Sequence, residues 1–182
     1  MNAISKYVQE IYFNGCTNLT HIELQDGIKF ENLNTFSIYD SPIVSVGSVT
    51  EEFDASHFNN ISALRKVTFN SSDLPVYSAF TFDNTKVKLI RNLTWNGSGN
   101  RLFYMCTELE HIYGTINVTD SLDYAFWRCL KLEALPTINV MSSVTTARYV
   151  FAGANLLSYA ETSDIIRKCV NVINFSGAFF CK

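Results

Sequence analysis

Residues 124–138 read YAFWRCLKLEALPTI, with Phe126, Cys129, Leu132 and Leu135 spaced three apart. The same spacing recurs in FNGCTNLTHIEL from Phe13, FNNISALRKVTF from Phe58, FYMCTELEHI from Phe103 and FAGANLLSYA from Phe151. Each stretch has a Phe, a small or sulfur residue three positions on, an aliphatic six on and usually another nine on. Phe13 to Phe58 and Phe58 to Phe103 are each 45 residues, two periods of 22.5. Interpolation therefore puts further starts near 36 and 80, where Phe36 and Phe80 stand. The ladder Phe13, Phe36, Phe58, Phe80, Phe103, Phe126, Phe151 has steps of 22 to 25 residues, and Phe179 in SGAFFC opens one more unit. The repeats at Phe36 and Phe80 are degenerate. Ile43/Val46 and Val87/Ile90 fall one residue late, and Asp83 takes the Cys position, so bulges or register changes are expected there.

A unit of about 23 residues cannot bury its own apolar face, whereas stacked units share one core and touch only their neighbours. Leu19/Ile22/Leu24, Leu64/Val67/Phe69 and Leu109/Ile112 end in the near-alternation of a short strand. The other half of each unit, as in NVTDSLDYAF, is rich in Asn, Ser, Thr and Asp, and reads as turns and short 3₁₀ pieces. The expected architecture is a β-rich (α/β-type) solenoid of about seven units of 22–25 residues, with a parallel sheet on one face and few, short helices. Residues 1–12 form an N-terminal cap or half repeat and 13–182 a single solenoid domain. The best helix lies at 161–169, capped by Thr162 or Ser163. Ile4, Tyr7, Val8 and Ile11 fit one helical face and fit equally the second half of a degenerate first repeat.

With these residues in place, the chain resembles the BspA-type leucine-rich repeats of bacterial and protozoan surface proteins, whose units are of the kind AFxxCxxLxxIxIP. Residues 124–138 match best, FNGCTNLTHIEL and FYMCTELEHI nearly as well, and the resemblance runs from about Val8 to the C-terminus. It implies a leucine-rich-repeat stack serving adhesion or protein interaction, in larger secreted proteins or in phage and parasite genomes, and no enzymatic activity. Only Leu135-Pro136 approaches the family's aliphatic-proline ending.

Cys16, Cys106 and Cys129 all stand three after a Phe, a column that points inward and makes them small buried hydrophobes. The phenylalanine ladder reads as a core spine rather than a base-stacking platform, because Lys and Arg are sparse beside it. His21 and His111 both stand eight after their Phe, four repeats or about 19 Å apart at the usual strand spacing, too far to share a metal. His57 lies on another edge. No catalytic, cofactor-binding or metal site is expected, and neither CxxC, Walker loop, GxGxxG nor GxSxG occurs. NGSGN at 96–100 reads as a loop, and Glu51-Glu52 as a solvated turn. The candidate binding face is the outward strand row His21, Glu23, Lys66, Thr68, His111, Tyr113 and Tyr159, with Ala134 between the last two.

The 182 residues are 47% hydrophobic, 14% aromatic and only 17% charged, with a net charge of -3, which excludes disorder and nucleic-acid binding by bulk charge. Seven Asn-x-Ser/Thr sequons among 17 Asn are what chance gives. No apolar run reaches the ~18 residues of a membrane span, and the N-terminus is no secretory leader. Location is therefore intracellular or virion-associated unless a leader was removed, and cell-surface if the chain is a fragment. Two functions compete. One is a non-enzymatic module binding a protein or surface glycan on the sheet face. The other is a structural part of a phage, virion or surface assembly, packing against neighbouring subunits through the ends or sides of the stack. The apolar INFSGAFFCK favours contact at that end.

Overall fold

In the computed structural model, which describes residues 6–13, 15–37, 45–58, 82 and 87–180, the apolar positions of successive repeats turn inward and stack as a parallel β-solenoid. The strands are β1 (Glu10–Tyr12), β2 (His21–Glu23), β3 (Thr35–Ser37), β4 (Ser45–Gly47), β5 (Glu52–Asp54), β6 (Leu89–Gly97), β7 (His111–Val118) and β8 (Thr137–Val140). A 3₁₀ turn spans Ala55–His57, and one helix, α1, spans Tyr159–Lys168. β2-β4-β5-β6-β7-β8 form one parallel sheet, while β1 and β3 pair separately. The described start of the chain is a turn at Lys6–Tyr7 and then strand β1, so the helical option gives way to a turn at Tyr7 and strand pairing at Ile11, while Ile4 lies outside the described residues. Leu64, Val67, Phe69, Phe80 and Asp83 lie outside the described residues.

The phenylalanine spine is continuous. Phe82, Phe103, Phe126, Phe151 and Phe179 stack successively with centroids 5.3–5.9 Å apart. A uniform hydrogen bond marks each rung: the amide of a rung Phe donates to the carbonyl just before the next rung. Phe103 donates to Ala125 (2.9 Å), Phe126 to Val150 (2.9 Å) and Phe151 to Ala178 (3.0 Å). By this mark the rung under Phe103 is Phe82, which donates to Leu102 (2.7 Å). The rung under Phe58 is Phe30, which donates to His57 (2.8 Å), while Phe36 meets the rings of Phe13 and Phe58 edge-on. Interpolated spacing finds the spine but not every rung, because Phe30 carries the rung mark that the spacing assigns to Phe36, and Phe53 is an additional ring against Phe58.

On this edge each turn is held in a repeated conformation. The residues two before and two after the Phe adopt left-handed backbone: Arg101 and Met105, Tyr124 and Arg128, then Tyr149 and Gly153. A non-glycine residue there costs about 1–2 kcal/mol, offset by the amide ladder to the next turn. Cys106 and Cys129 are fully buried, and each thiol donates back to a rung carbonyl, Cys106 Sγ to Phe82 O (2.8 Å) and Cys129 Sγ to Phe103 O (3.0 Å). The cysteine column is therefore core; Cys16 is half-buried.

Both degenerate repeats carry irregularities. β4 and β5 pair in parallel at Val46↔Phe53, seven residues apart, far less than an ordinary parallel crossover. Left-handed Gly47 (φ 135°) and Glu51 (φ 64°) make that turn. In β6 the register slips between Ile90 and Leu93, where Arg91 and Asn92 oppose Tyr113 alone. Gly114, at φ 144°, faces this bulge, and a Cβ there would sit 2.0 Å from the Leu93 carbonyl oxygen.

Helix α1 starts two residues before the expected 161, because Ser158 and Glu161 form a capping box and Thr162 lies inside the helix, bonded to Ser158 O (3.1 Å). The helix covers the open edge of the sheet. Glu161 Oε1 accepts from Leu135 N (3.0 Å), and Lys168 Nζ donates to Ile138 O (3.0 Å), so side chains satisfy backbone groups that a further strand would have taken. Burial works against ionised Glu161, but hydrogen bonds from Ser158 and Leu135 hold its pKa below the ordinary value. Burial pushes the Cys169 thiol at the helix end up to about 11.

Candidate binding faces

Strand register tests the predicted row. His21 pairs with Ser45, Glu52 with Leu89 and Leu89 with His111, and the Val46↔Phe53 bridge joins the two sets. His21 and His111 thus share a column four strand steps long. It is not one open face, because the turn after β4 folds over it: Ser45 is 1% exposed and its Oγ accepts from Glu51 N (2.6 Å). His21 and Glu23 lie on one side of this cover and His111 and Tyr113 on the other. Lys66 and Thr68 lie outside the described residues. Tyr159 leaves the row altogether. It is the first residue of α1 and 85% exposed, since the capping box starts a helix where the repeat pattern would put a strand.

Beyond the cover, the strands β6 and β7 carry a charged and aromatic surface. Lys88 pairs with Glu51 (2.9 Å), Arg91 with Glu52 (2.6 Å) and Lys131 with Glu108 (2.7 Å). Glu51 thus sits in its expected exposed turn, while Glu52 is a β5 residue tied to the next strand. His111 lies 3.7 Å from Glu133 and against the ring of Tyr113, which is 56% exposed. Ala134 is exposed nearby.

Past the Gly114 corner the same strands continue with a motif that single-segment reading passes over. Thr94-Trp95-Asn96, Thr115-Ile116-Asn117 and Thr137-Ile138-Asn139 align tier on tier, with Trp95, Ile116 and Ile138 buried and the Thr and Asn turned outward. Asn117 Nδ2 donates to Asn96 Oδ1, and Asn139 Nδ2 to Asn117 Oδ1 (2.8 Å), so the amides form a ladder beside a column of hydroxyls. Asn96 and Gly97 therefore end β6, and only Ser98–Asn100 of the expected loop leaves the strand. The three Thr-x-Asn triplets, 21 and 22 residues apart, were the available signal.

The opposite edge carries an aromatic ridge. Tyr104 stacks on Trp127 (4.6 Å) and Tyr124 on Tyr149 (5.1 Å), with Arg101 over Tyr104 (3.9 Å) and Arg128 over Trp127 (5.0 Å). Arg148 grips Asp123 through Nε (2.8 Å) and Nη2 (2.6 Å). Burial alone would raise the Asp123 pKa, but the bonds from Arg148 and Thr146 hold it below the ordinary value. The four rings occupy the positions two before and one after a rung Phe, a column pattern visible in the sequence once the rungs are known.

A family model for the BspA type leucine-rich repeat region matches the chain in six copies, over residues 2–94 and 44–158. The chain belongs to the BspA-type leucine-rich repeat family. Searches of curated proteins and of solved structures each found no match. Membership of this leucine-rich repeat family suggests a repeat interaction module, and the surfaces above are what such a module presents. Among the described residues no three His, Cys, Asp or Glu side chains gather as metal ligands, and no helix is long and apolar enough to cross a membrane. His57 is buried, its Nδ1 2.8 Å from the Ile28 carbonyl, and serves the repeat's packing.

Two shallow cavities in this repeat stack flank its last turn. One of about 390 Å³ is lined by Tyr159, Thr162, Ile166, Arg167 and Phe179. The other, about 350 Å³, lies between Trp127 and Phe180, where Ala152 leaves room in the column.

Proposed function

We propose that the protein is a non-enzymatic interaction module that binds a protein or surface glycan on the outward face of β6, β7 and β8. The observation that carries this is the ordered array itself. Thr94, Thr115 and Thr137 beside Asn96, Asn117 and Asn139, with His111 and Tyr113 around the corner, set hydroxyl, amide, imidazole and phenol groups at the fixed strand spacing of about 4.8 Å. Such preorganised polar groups recognise a partner without paying side-chain ordering entropy on binding. The face is tested with purified protein on an immobilised glycan panel and on an extract of surface proteins. Tyr113→Ala with His111→Ala, and separately Thr115→Ala with Asn117→Ala, are expected to lose at least tenfold in affinity with the fold intact by circular dichroism. Full binding by both double variants would place the contact elsewhere.

A second reading, a structural part of a phage, virion or surface assembly, is favoured by the last turn, where Phe179, Phe180, Ile173 and Val170 are exposed together.

A further inference from the structure

The edge that bears the aromatic ridge carries a second column beside the phenylalanine spine. The amide two after a rung Phe donates to the carbonyl one after the next rung Phe: Met105 to Trp127 (2.8 Å), Arg128 to Ala152 (2.8 Å) and Gly153 to Phe180 (3.1 Å). By this register Tyr104, Trp127, Ala152 and Phe180 hold equivalent places on successive turns. Rings fill three of the four. Tyr104 stacks on Trp127 at 4.6 Å, and the next place lacks a ring, because Phe103-Tyr104-Met105 and Phe126-Trp127-Arg128 give way to Phe151-Ala152-Gly153. The room left is the cavity of about 350 Å³ between Trp127 and Phe180, within the size range of small-ligand pockets.

Its lining combines apolar surface with one charge. Ala152 and Gly153 make the floor, and Trp127 and Phe180 the walls. Arg128 supplies the charge. Its Cζ lies 5.0 Å from the Trp127 ring centre, and a guanidinium held on a ring keeps its N–H edge for another acceptor. A Cβ at Gly153 would come within 3.4 Å of Arg128 Cα and Cγ, so this side chain runs directly along the cavity floor. Lys88, Arg91, Lys131, Arg148 and Lys168 each hold a carboxylate, whereas the Arg128 guanidinium has none among the described residues. Asn155, exposed at the rim, adds an amide.

We propose that this slot binds one uronic-acid unit of an acidic polysaccharide, its carboxylate on the Arg128 guanidinium and its C–H surface against Phe180 and the Ala152-Gly153 floor, with Trp127 backing the arginine. The unpaired guanidinium selects an anion. The aromatic walls and the volume select an anion with an apolar body. An acidic amino-acid side chain offers the carboxylate but only a methylene or two to fill the space. A uronic acid carries the carboxylate, the C–H surface and hydroxyls for Asn155 on one ring. The slot lies away from the outward face of β6, β7 and β8, so it stands or falls independently of binding there.

Trp127 reports on the slot, because the other tryptophan, Trp95, is 1% exposed. The whole chain is titrated with oligogalacturonate, with hyaluronan fragments, with the carboxyl-reduced neutral form of each and with an oligoglutamate peptide, followed by tryptophan emission and calorimetry. Saturable binding of an acidic sugar with a change in emission is expected, the neutral forms and the peptide being roughly tenfold weaker or more. Arg128→Gln is expected to cost roughly tenfold or more, as loss of a charge-assisted hydrogen bond does. Ala152→Tyr, which gives the column the ring it has at Tyr104, is expected to abolish binding with the circular dichroism spectrum unchanged. No binding of either acidic sugar overturns the proposal, and so does equal binding of the neutral forms, which would mean that the charge is not read. A peptide that binds as tightly as the sugars would assign the slot to an acidic protein partner instead, and full binding by either folded variant would put the sugar elsewhere.

Discussion

Residues 6–58 and residues 87–180 come from the same repeat, yet they pack differently. In the later region the rungs from Phe82 to Phe179 stack with interplanar angles of 12–29°, and β6 and β7 run for nine and eight residues. In the earlier one Phe13–Phe36 and Phe36–Phe58 meet at 72° and 66°, and every strand among the described residues is three residues long. The sequence ladder is as evenly spaced in the earlier region, with steps of 23 and 22, as in the later one, with steps of 23 and 25. What differs is competition: Phe30 and Phe53 offer alternative rings to the earlier spine, and among its described residues only Phe58 with Phe53 achieves near-parallel stacking, at 7°. The later region stacks one Phe per rung from Phe82 to Phe179, and thiols tie two of its rung carbonyls, those of Phe82 and Phe103. A repeat becomes regular when each position has one candidate, not merely when the spacing is constant.

The sharpest way to break this contrast is in the spine. Phe103→Ala and Phe126→Ala should each cost about 3–5 kcal/mol by chemical denaturation, and Phe13→Ala less, because Phe13 is half-buried and meets Phe36 edge-on. Costs under about 1 kcal/mol for all three would mean that the rings are not a buried spine. Glycine positions come next. Gly114→Ala puts a methyl into the Leu93 carbonyl and should cost about 2–4 kcal/mol, whereas Gly15→Ala, with φ 69° and open space around it, should cost only the ~1 kcal/mol of left-handed strain. Equal costs would show that the bulge relaxes freely.

The smallest effect is in acid. Asp54 in the earlier region, bonded by Asn92 (2.9 Å) and Ser56 (2.9 Å), and Asp123 in the later one are both buried, which by itself raises a carboxyl pKa, yet these bonds leave both lowered. A carboxylate lowered in the folded state stabilises fully above the ordinary carboxylate range, and that contribution is lost as pH falls through the range to the folded value. Thermal midpoints of Asp54→Asn and Asp123→Asn should therefore each fall less steeply with acid than the wild type below about pH 5. Unchanged slopes would show that neither bond network is linked to folding.

Much of this was legible beforehand, and the misses have identifiable causes. The Phe and Cys columns follow from period alone, because inward residues have no alternative. Phe82 and Phe30 do not, since only the amide pattern reveals which of two nearby rings holds the rung. The helix start was readable as Ser158-x-x-Glu161, but the apolar positions Ile165, Ile166 and Cys169 drew the boundary later, and with it Tyr159 was left on a strand. The Thr-x-Asn tiers were hidden because Asn96 and Asn117 also read as sequons. The cover over Ser45 depends on a parallel pairing only seven residues apart, which no strand rule anticipates.

Because amides point one way along the turn edge and carbonyls the other, the stack has a direction independent of its length. Inserting or deleting a whole repeat lengthens or shortens the spine but leaves a donor row at one end and an acceptor row at the other. Copy number is thereby uncoupled from end chemistry.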